Sequence, residues 1–255
     1  MGRATDMAGR IICTTIMLAW AGGTFAAGAA VDLQPANNDV ANTASLQRGA
    51  RNFMNYCSGC HSAKYVRFNT IAGDLGLTED QLIDNLMFNA EKPHDTIQRT
   101  MREDDAVRWF GTTPPDLSLI PRSRGIDYIY NFLKSFYVDP DSPTGVDNTL
   151  LAGTSMPHVL WELQGYQKAV FVEHEVAGGA GTEVVFEKFE TISEGSMSEE
   201  EFDDFVRDTV NFMDYISEPV QLKRRVLGVW VLMFLTVFLI VSYMLKKQIW
   251  KDVPA

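Results

Sequence analysis

Cysteine is scarce in this chain. There are three in 255 residues, and Cys13 falls in a leader-like stretch, so Cys57 and Cys60 are the two left for the body of the protein. One such pair cannot form the framework of bridges on which small exported domains depend. Histidine is nearly as rare, at His61, His94, His158 and His174, and none of these stands beside a second cysteine pair, so the four-ligand spacing of a structural zinc site is missing. Net positive charge is missing from the middle of the chain. The total of −11 includes +1 from residues 1–27 and +5 from residues 223–255, which leaves −17 for residues 28–222. Such a field repels nucleic acid and favours fast, salt-sensitive encounters with cationic partners, although acidity also serves solubility alone. No internal repeat or low-complexity tract is present, and long apolar runs are confined to the two ends.

Those ends read as targeting and anchoring segments. Arg3 and Arg10 precede the apolar run Ile11 to Trp20, and small residues with Ala-x-Ala-like sites follow around Phe25-Ala26-Ala27. This is the layout of a secretory signal peptide, with cleavage expected near Ala27 and an uncleaved N-terminal anchor as the alternative. Val226 to Leu245 is an uncharged apolar stretch that as a helix would rise roughly 30 Å, about the thickness of the hydrocarbon core. Lys223, Arg224 and Arg225 flank it on one side and Lys246, Lys247 and Lys251 on the other, so charge alone does not orient it. Export of the body would leave the tail from Lys246 to Ala255 in the cytoplasm. The expected organisation is therefore a signal at 1–27, an exported domain at 28–222 and an anchor with a short tail at 223–255.

The size allows one large domain or two small ones. Leu46, Gly49, Ala50, Phe53 and Met54 recur at helical spacing and lead directly into the cysteines. Thr78 reads as the cap of a helix over Glu79 to Met87. A loop containing Pro93, Pro114, Pro115 and Pro121 is expected next, then an aromatic-rich helix over Gly125 to Tyr137. Between Lys168 and Ile192, two runs of β-formers joined by Ala-Gly-Gly-Ala-Gly predict a hairpin. Ser198-Glu199-Glu200-Glu201 opens a last helix before the anchor, its carboxylates complementing the helix dipole or, as an alternative, forming a docking patch. The fold class is thus mainly α, with one small β-hairpin insertion and a C-terminal transmembrane helix.

The chemistry concentrates in Cys57-Ser-Gly-Cys60-His61. A zinc knuckle lacks its further ligands, and a redox dithiol expects a strand before the motif where a helical pattern stands instead. Haem attachment uses every part: each thiol adds to a porphyrin vinyl group and the adjacent imidazole becomes the proximal ligand. Such attachment occurs outside the cytoplasm, where the leader would send the domain. Among candidate sixth ligands Met156 stands apart, in a loop immediately before Pro157. Met54 lies too near the motif, Met87 and Met213 fit helix stripes, and His158 is the competing ligand. In Thr112-Thr-Pro-Pro-Asp-Leu-Ser-Leu-Ile-Pro-Arg-Ser-Arg124, rigid prolines suit a haem edge and Arg122 or Arg124 suits its propionates.

Cys57 to His61, Pro114-Pro115-Asp116-Leu117-Ser118, the arginines after it, Met156-Pro157 and the run from Ser198 through Glu218-Pro219 into the anchor together resemble the cytochrome c1 family, the haem subunits of quinol-cytochrome c reductase. The resemblance covers nearly all of the mature chain in order. It implies a c-type cytochrome domain with one covalent haem c on Cys57 and Cys60, axial ligands His61 and Met156, Pro115 at the haem edge, and Arg124 toward a propionate. It further implies a bacterial inner-membrane complex with cytochrome b and a Rieske iron-sulfur protein, electron delivery to a cytochrome c, contact with membrane lipid, and no nucleic acid. The Met-Pro-His-Val-Leu-Trp-Glu-Leu loop departs from the mitochondrial Met-x-Pro-Pro form and looks bacterial. No extra cysteine pair braces it, so packing must hold Met156. A haem subunit of another oxidase or dehydrogenase, and a haem-based sensor, are the rival readings.

Overall fold

The computed structural model describes residues 33–175 and 182–252, with main chain alone at 174, 175, 182 and 183. In chain order its elements are α1 (Thr43–Tyr56), β1 (Ala63–Arg67), α2 (Phe68–Leu75), α3 (Glu79–Leu86), β2 (Thr96–Ile97), α4 (Glu103–Phe110), α5 (Ile120–Arg124) and α6 (Ile126–Lys134). β3 (Phe136–Val138), β4 (Val146–Asn148), α7 (Trp161–Gln164), β5 (Gly165–Glu175), β6 (Thr182–Glu194), α8 (Glu199–Ser217) and α9 (Gln221–Ile249) complete the chain. Helix predominates, as the apolar spacing predicts.

The packing that positions everything else is α1 on α8. The α1 stripe buries Leu46, Gly49, Ala50, Phe53 and Met54, and α8 presents Phe202, Phe205, Val206, Val210 and Met213. A Cβ on Gly49 would lie 2.0 Å from the Asp208 carbonyl oxygen, so the two backbones approach as closely as glycine alone permits. Around this crossing Ser45 Oγ donates to Asp208 at 2.6 Å, Arg48 forks onto the same carboxylate at 2.5 and 2.9 Å, and Phe53 meets Phe212 with ring centroids 5.6 Å apart. The segment before α1 is strapped down as well: the Ala36 amide donates to Asp127 of α6 at 2.8 Å and its carbonyl accepts from Arg207 of α8 at 2.9 Å.

Local signals that close within a turn are realised. Thr78 and Ser198 both form capping boxes, with Gln81 and Glu201 respectively. The β5–β6 hairpin pairs Gly165 with Glu194 and runs to Glu175 opposite Thr182; its expected glycine-rich turn lies outside the described residues. Two further strand pairs exist, β1 with β2 and β3 with β4, where the sequence predicts one hairpin. The helix expected over Gly125 to Tyr137 is shorter: α6 stops at Lys134, Ser135 Oγ donates back to the Asn131 carbonyl at 2.6 Å, and Phe136–Val138 turn into a strand paired with Val146–Asn148. Phe-Tyr-Val fits a pleated strand better than a helix end. Within the expected proline loop, α4 and α5 are helices, and α2 follows β1 directly.

α9 follows Pro219 and is the described helix long and apolar enough to cross a membrane, with a mean hydropathy of 2.5 over its best window and none of that window buried. Its 29 residues rise about 43 Å. Glu218 joins it to the body by accepting from Arg224 of α9 and from Arg122 of α5.

Candidate functional site

The last turn of α1 carries straight into the cysteines. Cys57 N donates to Phe53 O at 2.9 Å, and Cys60 and His61 both donate to the Cys57 carbonyl, at 3.1 and 2.9 Å, so the whole motif is one helical turn. Three contacts hold it from outside: Met101 N donates to Gly59 O at 2.9 Å, Leu117 N to Ser62 O at 2.8 Å, and Arg99 N to Ser62 Oγ at 2.9 Å. Cys57 and Cys60 are not joined to each other by a disulfide, so both sulfurs remain available for attachment. Burial, followed by the neighbouring Cys60, pushes the Cys57 thiol up to about 12.

His61 Nδ1 lies 2.8 Å from the Pro115 carbonyl oxygen. A carbonyl only accepts, so Nδ1 carries the proton and Nε2 keeps its lone pair. Burial lowers the His61 pKa; the Pro115 bond opposes this, nearby Arg99 adds to the lowering, and Asp116 counters it. The ring is therefore presented neutral, oriented and ready to coordinate. Among the described residues no three His, Cys, Asp or Glu side chains group in a way that could hold a metal ion by themselves.

These side chains open into a cavity of about 440 Å³, within the range of small-molecule and cofactor sites. Cys57, Cys60, His61, Pro115, Arg124 and Met156 all line it. Most of the rest of its wall is apolar, from α6, α8 and the loop segments before α5 and around Met156, which suits a flat hydrophobic ring. Arg124 stacks over Tyr128 with 5.5 Å from its guanidinium carbon to the ring centroid, and no carboxylate pairs with it among the described residues. Arg122 lies outside the lining and is paired with Glu218.

The two rival sixth ligands separate. Met156 faces the cavity, whereas His158 is absent from its lining, buried, and stacked on Phe136 at 5.2 Å and 8°. Among the described residues neither His158 ring nitrogen makes a hydrogen bond of good geometry; burial pulls its pKa down to about 4, opposed weakly by the Gly165 backbone and the Gln164 side chain. His94 is exposed on the loop before β2. The side chain of His174 lies outside the described residues. Two features escape the sequence reading. Met213, assigned to a helix stripe, is buried and also lines the cavity, as do Thr209 and Phe205 one and two turns earlier on α8. The spacing of four among Phe205, Thr209 and Met213 is the signal, but a core stripe has the same period.

The pocket thus combines two cysteine sulfurs on one helical turn, a neutral imidazole tied at Nδ1, a thioether and a guanidinium around an apolar slot. That is the donor set of a c-type cytochrome, and the residues fit the group. Comparison with known proteins agrees: the model of the Cytochrome C1 family matches residues 37–253. Cytochrome c1 of Allochromatium vinosum is 46% identical over 244 residues, covering 96% of this chain and 99% of that one. A protein of Nitrosomonas europaea named ammonia monooxygenase gamma subunit is 41% identical over 226 residues, covering 89% and 91%. Cytochrome c1 of Rhodospirillum rubrum is 27% identical over 230 residues, covering 82% and 81%. The chain belongs to the cytochrome c1 family, and membership implies a covalently bound c-type haem.

Proposed function

We propose that this chain is the membrane-anchored haem c subunit of a quinol-cytochrome c reductase, taking single electrons from a Rieske iron-sulfur protein and passing them to a cytochrome c. The observation that carries the reading is the shared cavity, in which Cys57, Cys60 and an Nδ1-tethered His61 meet Met156 and Arg124. Cys57 and Cys60 would hold one haem through thioethers, His61 and Met156 would be its axial ligands, Arg124 would meet a propionate, and Pro115 would both flank the ring and fix His61. Bound haem supplies a one-electron iron couple, which a thioether ligand raises in potential.

The residues of this chain do the rest. The Pro115 carbonyl keeps the imidazole in one tautomer, the apolar wall excludes water, and the α1–α8 pair holds the frame rigid. Residues 28–222 carry −17, a field that draws a basic carrier and is weakened by salt. In this reading residues 1–27 are an export signal, 28–222 form the haem domain on the periplasmic face of a bacterial inner membrane, and 223–255 span the bilayer and end in the cytoplasm, with cytochrome b as the membrane partner.

Purification of the chain in mild detergent tests this. Covalent porphyrin absorbance retained after denaturation, together with co-purified b-type cytochrome and Rieske subunit, supports the proposal; a chain without retained porphyrin overturns it. The relative named as an ammonia monooxygenase subunit favours a second reading, a haem subunit of a different membrane oxidoreductase. Retained porphyrin without a b-type or Rieske partner would select that reading.

A further inference from the structure

The segment carrying Met156 has little main-chain pairing of its own. Among the described residues, Gly153 and Thr154 donate their amides to Asp147 Oδ1 at 2.8 and 3.2 Å, and Met156 donates to Thr154 Oγ1 at 3.4 Å. The Asn148 amide reaches the same Asp147 oxygen at 2.8 Å. Gly153 sits at φ 72°, the left-handed region open to glycine, where successive amides can converge on one anion.

The anchor point is itself fixed. Asp147 lies in β4 opposite Tyr137 of β3. Next to it Asn148 is fully buried; its side-chain N–H donates to the Phe132 carbonyl at 2.8 Å and its Oδ1 accepts from Leu150 N at 2.9 Å. Thr149 N adds a bond to Ser135 O at 3.2 Å. A carboxylate on rigid backbone thus gathers three amides, the last two of them two and three residues before Met156. Hydrogen bonds to an ionised acceptor are about twice as strong as neutral ones.

We infer that Asp147 is a positioning residue whose carboxylate holds the loop that presents Met156 to the cavity. The inference rests on the reading of Met156 as an axial ligand. Without the carboxylate, the Gly153 and Thr154 amides lose their acceptor, the loop opens more often, and the sulfur is withdrawn from the site.

The test compares the full-length, haem-loaded protein in detergent as the parent, Asp147→Ala, Asp147→Asn and Met156→Leu. Three quantities are read: hydrogen exchange at the Gly153 and Thr154 amides, carbon monoxide binding to the reduced protein, and midpoint potential. In Asp147→Ala, exchange should accelerate by at least about tenfold, the factor set by 1.4 kcal/mol of lost tethering. Carbon monoxide binding should appear, and the potential should fall toward that of Met156→Leu. Asp147→Asn, which keeps an acceptor oxygen in place, should restore most of each. If Asp147→Ala does not accumulate, Asp147→Glu replaces it with the same expectation, because its carboxylate is displaced by one methylene.

Parental exchange, potential and carbon monoxide inertness in Asp147→Ala, while Met156→Leu binds carbon monoxide, would overturn the role of Asp147 alone. A Met156→Leu protein that keeps parental potential and stays inert would overturn the axial reading and this inference with it.

Discussion

The close approach of α1 and α8 at Gly49 makes a sharp stability test. An alanine at Gly49 would place its Cβ 2.0 Å from Asp208 O, 2.7 Å from Phe212 Cβ and 2.8 Å from Asp208 C. Favourable carbon contacts begin near 3.5 Å, so α1 and α8 would have to separate by about 1 Å or more at the crossing. Overpacking of this kind costs about 1–3 kcal/mol, and the obstacle here is backbone, which cannot rotate away. The same displacement pulls on the buried Ser45–Asp208 bond of 2.6 Å, where a hydrogen bond to a charged group contributes about 1.5–3 kcal/mol. The Arg48 partner is half exposed and adds little after screening. Against these, alanine in a helix recovers up to about 1 kcal/mol relative to glycine. The balance is a destabilisation of about 3 kcal/mol, which in a chain of this size lowers Tm by roughly 6–12 °C. Gly73→Ala is the control: it lies in α2, its Cβ would meet nothing within 4 Å, and it should raise stability by up to about 1 kcal/mol. Circular dichroism melts of both variants in the same detergent check the pair. A Gly49→Ala melt within error of the parent, or an equal fall in both variants, would refute the reasoning.

Three further outcomes follow from the site and the caps. Met156→Leu should lower the midpoint potential by on the order of 0.2 V, within the span that axial ligands command; Met213→Leu, a volume-conserving core change costing under about 1.5 kcal/mol, should leave the potential close to that of the parent, as read by redox titration. Replacing both Cys57 and Cys60 by alanine should abolish porphyrin absorbance in the denatured chain, while either single replacement should retain it through one thioether. Ser198→Ala should cost about 1 kcal/mol through loss of the α8 cap. The Ser198 amide and hydroxyl hold the Glu201 pKa below its ordinary value, so this part of the cap is fully present above the unfolded carboxylate value of about 4.3 and is lost as pH falls through the lowered folded value. Melts between about pH 6 and pH 3 should show that component in the parent and not in Glu201→Gln.

What could be read from the sequence was local. Thr78 and Ser198 cap their helices through bonds that close within three residues, and the CxxCH motif is one turn of helix closed on its own carbonyl. The proline-rich stretch misled because its prolines drew attention from the acid-led start of α4 at Glu103, Asp104 and Asp105 and its close at Gly111. Phe136 and Tyr137 read as helix because the partner of their strand, Val146–Asn148, lies about ten residues downstream, and pairing at that distance leaves no local mark. Met156 was legible through its isolation beside Pro157. Met213 and Thr209 were not, since a cavity-facing stripe and a core stripe share one period. Asp147 carried no signal at all; its importance comes from Gly153 and Thr154 folding back onto it.

On the proposed assignment of His61 and Met156 as axial ligands, the two segments that carry them are secured in different ways, and this should sort the effects of substitution. The segment with Cys57, Cys60 and His61 is continuous with α1, which is locked to α8, and is held from outside by main-chain bonds at Gly59 and Ser62 and by the Pro115 carbonyl. Side-chain replacement rarely removes such bonds, so attachment and the proximal imidazole persist through most changes nearby. The Met156 segment depends on side-chain acceptors, Asp147 Oδ1 and Thr154 Oγ1, which a single substitution deletes. Changes there should leave the cofactor attached and retune or open its sixth position, whereas changes that part α1 from α8 should act on stability first and on the cavity wall at Phe205 and Thr209 second.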